Sequence, residues 1–133
     1  MSNIISIGIS DFGLQEYLET YPIKARIVAD KAALKAAKEG RSLLLVTSPV
    51  KSGRYSKGWS VRNKSTVAGG IEYVIHNKNS PHSVHLLEDG HEMFINGKYT
   101  GKRVAGIPHF EKAKEKAGDL FEQYFDEGLR SLD

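Results

Sequence analysis

His82, His85, Glu88 and His91 are the residues whose types and spacing could do chemistry, four groups within ten positions. Imidazole and carboxylate together form a donor set that zinc accepts. On a short helix His82, His85 and Glu88 would follow an i, i+3, i+6 drift along one face. The His-Glu-x-x-His arrangement of a zinc hydrolase is absent, because His91-Glu92 is followed by Met93, Phe94 and Ile95. Gly90 also breaks the element before His91. The reading adopted is structural: these imidazoles satisfy loop carbonyls or a subunit contact, and no residue is assigned to metal, cofactor or catalysis.

Other chemistries fare no better. There is no Gly-x-Ser-x-Gly elbow to hold a serine nucleophile, and a chain of this size lacks the sheet that positions its partners. Glu88 and Asp89 are adjacent and would diverge on a helix, so they are no acid–base pair. The basic, breaker-rich stretch Ser48–Gly58, SPVKSGRYSKG, has no Gly-x-x-x-x-Gly-Lys-Ser/Thr pattern and reads as a flexible basic loop. Its cations and the neighbouring Tyr55 and Trp59 resemble an aromatic-plus-cation surface for nucleic acid. A small basic nucleic-acid-binding module is accordingly the alternative reading, although no standard recognition motif is present. Trp59 itself, on the apolar face of a strand, is expected in the core.

These residues need elements to hold them. Ile5, Ile7 and Ile9 alternate as a short strand, Ser10-Asp11 offers an N-cap, and a short helix is expected from Phe12 to about Thr20. A long helix follows from Pro22 to about Glu39, with Gly40 ending or bending it and Leu43 to Val46 just beyond. That helix has two apolar stripes. Ile23, Ile27 and Leu34 form a bulky one, and Ala25, Ala29, Ala32 and Ala36 a small one nearly opposite. Either alanine is there for helix propensity alone, or the bulky stripe faces the core while the alanine face admits a neighbouring subunit.

Trp59 and Val61, then Ile71, Tyr73 and Ile75, form a hairpin around Gly69-Gly70. Ser83 is expected to cap a short helix through Glu88, closed by Gly90 in a left-handed conformation. Asn96-Gly97 is the strongest hairpin signal in the chain; Gly101 to Gly106 reads as a second basic loop. Pro108 leads into a final helix whose apolar positions, Phe110, Ala113, Ala117, Leu120, Phe121, Tyr124 and Phe125, keep the 3.6-residue period.

Composition sets the class. The chain has 133 residues, 40% hydrophobic and 26% charged, which fits one domain over 1–133 with a modest core. It has no cysteine, which excludes disulfides and thiolate metal sites and suits a reducing cytoplasm. No stretch approaches the ~18 apolar residues of a membrane span, so no membrane partner is expected. The net charge is only +3, but it is unevenly placed. Arg41, Lys51, Arg54, Lys57, Arg62 and Lys64 lie between Gly40 and Ile71 with no acid among them, while the acids gather in the last helix. Such asymmetry steers a chain toward an acidic partner, a second copy of itself or a phosphate backbone.

HLLEDGH at His85–His91, then GKRVAGIPHFEKA leading into a terminal helix, resembles the head–tail joining or tail-completion family of long-tailed phages and prophages, named after gene product ten of a lambdoid phage. SPVKSGRYSKGWSV resembles that family's loop and strand, and the likeness runs from Thr47 to Ala117. Asp89 stands where an aromatic is more usual. The resemblance implies an α+β subunit, a small antiparallel sheet flanked by a long helix in the N-terminal half and a C-terminal helix. It implies a non-enzymatic virion part at the neck, assembled in the bacterial host's cytoplasm and arranged in a ring with connector and tail proteins as partners. Non-specific contact with DNA goes with that position. The docking residues it suggests, with the basic loops, are Lys51, Arg54, Lys57, His85, Leu86, Leu87, Glu88, His91, Lys102 and Arg103.

Overall fold

A computed structural model describes residues 3–10, 24–50, 53–66 and 70–132. The expected Phe12–Thr20 helix, the Asp11 cap, Pro22, Ile23, Lys51 and Gly69 lie outside the described residues. The class is α+β, with strands β1 (Ile5–Ile9), β2 (Trp59–Asn63), β3 (Ile71–Asn77), β4 (Gly90–Ile95) and β5 (Lys98–Ala105). The helices are α1 (Lys24–Thr47), a Pro81–Ser83 3-10 turn running into α2 (Val84–Asp89), and α3 (Phe110–Arg130). Among the described residues no helix is long and apolar enough to cross a membrane.

β3 lies between β1 and β2 in an antiparallel sheet, with Ile5 opposite Ile75, Ile7 opposite Tyr73, and Val61 opposite Ile75. Because side chains alternate along a strand, this register puts Ile5, Ile7, Ile71, Tyr73 and Ile75 on one face. All are buried in one cluster with α1 alanines and with Phe110, Ala113, Ala117 and Phe125 of α3. The sheet's central pairing, the Ile5–Ile9 strand and the periodic last helix follow the sequence pattern.

The long helix departs from it twice. It does not stop at Gly40 but continues to Thr47, where Pro49, which disfavours helical backbone in the residue before it, ends it. Gly40 is fully enclosed: a Cβ there would stand 2.8 Å from Ile75 Cδ1 and 3.0 Å from Ala117 Cβ. A mid-helix glycine costs about 1 kcal/mol relative to alanine, so here it marks close approach and not a terminus. The stripes are also inverted. Ala25, Ala29, Ala32, Ala33, Ala36 and Ala37 are buried, whereas Ile27 is 50% exposed. Small side chains let α1 lie tightly on the sheet and on α3, its most extensive packing partner.

β4 and β5 form a separate two-stranded hairpin. Asn96 (φ 51°) and Gly97 (φ 77°) both take positive φ, as the tight turn between the strands requires. The expected basic loop from Gly101 is instead strand up to Ala105, and it is a bulge that hides it. Glu92 pairs with Arg103 and Phe94 with Tyr99, so Met93 faces the extra residues around Gly101 (φ 78°).

Candidate functional site

The two stretches HLLEDGH and GIPHF meet at the start of α3. His109 occupies the cap position of that helix and makes no side-chain cap bond of its own, leaving the first amides in want of acceptors. Glu88 supplies them from α2. Its Oε1 accepts the amides of His109 (2.6 Å) and Phe110 (2.8 Å), and its Oε2 accepts that of Glu111 (3.2 Å). The Ile107 amide donates to the Leu87 carbonyl at 2.8 Å, closing the same junction through the backbone. Gly90 (φ 84°) and Gly106 lie where a Cβ would run into the opposing backbone, so the two segments approach as only glycine allows. Ser83, expected to cap α2, makes no side-chain cap bond; Gly90 has positive φ but an extended ψ of 175°, and leads straight into β4.

Behind Glu88 lies a buried polar chain. His109 Nδ1 faces two acceptors, the Ile107 carbonyl (2.6 Å) and Glu88 Oε1 (3.1 Å), so that nitrogen carries a proton. His109 Nε2 meets the Tyr55 hydroxyl at 2.6 Å, and with the Nδ1–H tautomer Tyr55 is the donor. Tyr55 packs edge-on to Trp59, and Trp59 stacks on Phe110 with its Nε1 donating to Ser48 Oγ at 2.8 Å.

Tyrosine, histidine and carboxylate in a row are a familiar proton path, but here each member is committed. Burial, then the nearby Glu88 charge, raises the Tyr55 pKa. Burial would raise that of Glu88 as well, but the amides of His109, Phe110 and Glu111 and the His109 ring outweigh it and hold the carboxyl below its ordinary value. The arrangement orders a helix start and commits Glu88 to three backbone amides and the His109 ring.

The sequence-derived docking residues therefore divide. Glu88 is structural. Leu87 is half-buried against the core, and Leu86, 50% exposed, points outward. His85 lies edge-on to Phe110 with both ring nitrogens buried and unpartnered among the described residues, as is Nδ1 of His91. No group of three or more histidine, aspartate or glutamate side chains that could hold a metal comes together among the described residues. Lys57 and Lys102 are exposed, and Arg103 reaches the Asp89 carbonyl at 2.8 Å and Glu92 at 3.7 Å.

Arg54 donates to the Asn79 carbonyl at 3.3 Å, and Asn79 returns a bond to the Arg54 carbonyl at 2.9 Å. Asn77, itself buried, donates to the Tyr55 carbonyl at 2.8 Å. The described part of the presumed flexible loop is thus a pinned turn. Tyr55 and Trp59 are 8% and 1% exposed, so they offer no stacking platform for bases, and the aromatic-plus-cation surface is overturned.

His109 was absent from the sequence-derived set although it joins both halves of the site. The signal was there: Pro108 starts a helix with no serine, threonine, aspartate or asparagine at the cap position, so an acceptor had to come from elsewhere.

The family model HK97-gp10_like, described as "Bacteriophage HK97-gp10, putative tail-component", matches residues 12–90. That span includes the long helix, the Tyr55 turn, the three-stranded sheet's β2 and β3, and α2 through Gly90; the Gly101–Ala117 part of the resemblance lies beyond it. No curated protein and no solved structure matches the chain.

Proposed function

The chain belongs to the HK97-gp10-like family of bacteriophage tail components, and on that premise we propose that it is a non-enzymatic neck or tail-completion subunit acting as a ring. A structural component of a phage tail works by contact with other virion proteins, and 1–133 acts in this reading as one domain. The observation that carries the reading is the Tyr55–His109–Glu88 chain: the constellation best suited to chemistry is buried and spent on the α3 start. What remains for function is surface. Lys57, Leu86, Lys102 and Arg103, all exposed, are the residues we assign to docking.

A ring subunit needs two unlike faces, because a head-to-tail contact joins different patches on successive copies. The basic middle and the acidic last helix supply them. Deleting the gene from the phage or prophage and imaging the particles tests this. Unjoined heads and tails are expected, with the restored chain located at the neck or the head end of the tail. Infectious tailed virions made without it would overturn the reading.

A further inference from the structure

The β4–β5 hairpin packs against little besides α2, and two strands alone are marginal in water. Its end is nevertheless apolar: Phe94 and Ile95 are each 60% exposed and Tyr99 56%, with the Phe94 and Tyr99 rings 5.6 Å apart. Phe94 and Tyr99 are paired across the strands and share one face, and Ile95, next along the strand, lies on the other, so the tip is apolar on both sides and suited to entering a slot. Lys98, Lys102 and Arg103 lie on the same hairpin, and its one acid, Glu92, is held by Arg103 at 3.7 Å and by the Tyr99 hydroxyl. The partner must therefore offer an apolar seat with an acidic rim.

The chain carries such a seat. Ile9, Phe121, Phe125 and Leu129 line a slot edged by Glu122 and by Asp126, the latter paired with Arg130 at 3.0 Å across an exposed surface, and Phe121 and Phe125 stack at 5.6 Å to form its floor. A groove between α1 and α3 is edged by Lys24, Lys31 and Lys35 against one acid, Glu127, a net basic rim that suits a basic arm less. The hairpin is rooted just before Phe110, whereas the slot extends to Leu129, about 28 Å along α3 at 1.5 Å per residue. Arm and seat thus lie toward opposite ends of one helix, as a head-to-tail contact demands.

We propose that the Phe94–Ile95–Tyr99 tip of one subunit seats in the Phe121–Phe125 slot of the next copy, with Lys98 and Lys102 against Glu122 and Asp126. This rests on the ring reading and names its contact. The absence of native cysteine makes a clean test available. Particles are assembled with the full-length Ile95→Cys/Leu129→Cys chain and oxidised, alongside each single variant. The double variant is expected to give a reducible ladder beyond the dimer, and the single variants none. Lys98→Glu/Lys102→Glu should lower incorporation by about tenfold or more, the scale of losing close interfacial charge pairs. Adding Glu122→Lys/Asp126→Lys in the same chain should restore it. A ring visible in the particles, with folded double variant present and no ladder, overturns this contact and leaves the ring standing. Particles holding the chain as an isolated copy overturn both.

Discussion

A carboxylate that accepts three backbone amides is favoured in its charged form. Glu88 therefore ties the stability of the α2–α3 junction to pH, and the sign follows from its lowered pKa. The contribution is complete above the ordinary carboxyl value of 4.5 and is lost as pH falls through the lower folded value. The melting temperature of the parent should fall across that acid range, and Glu88→Gln should flatten that part of the profile. At neutral pH Glu88→Ala should cost about 2 kcal/mol, the scale of a lost cap that leaves several amides unpaired. An equal melting temperature for parent and Glu88→Ala would remove the capping role. Sequence reading picked out Glu88 for a surface task because spacing shows neighbours within an element and not acceptors across 21 residues.

At the scale of the element, α1 shows what pattern can and cannot decide. Two apolar stripes on one helix were legible, but which of them faces inward depends on how close the sheet and α3 lie. The alanine face wins because closeness, not bulk, fills the space beneath it, and Gly40 is the extreme case. Gly40→Leu should destabilise the chain by about 2 kcal/mol or more through overpacking, despite leucine's better helix propensity. Chemical denaturation of the two proteins measures it, and a neutral or stabilising result would mean that α1 and α3 do not meet at Ala117. The Asn96-Gly97 hairpin was readable because turn chemistry is local. Its full length was not, since the bulge at Gly101 interrupts the alternation by which a strand is recognised.

Over the whole molecule, Glu88, Tyr55 and His109 are turned inward to brace the start of one helix, while apolar groups such as Leu86, Phe94 and Ile95 are turned out. The assembly reading proposed above relies on that division. Tyr55→Phe tests it most directly, because it removes one hydroxyl, keeps the ring stacking and leaves His109 Nε2 unpaired. The decisive measurement is the yield of tailed, infectious particles from this variant below its own melting temperature. The account predicts a lower melting temperature and a yield equal to that of the parent. A folded, incorporated Tyr55→Phe chain whose particles fail to mature would contradict it, and would make that hydroxyl a working group.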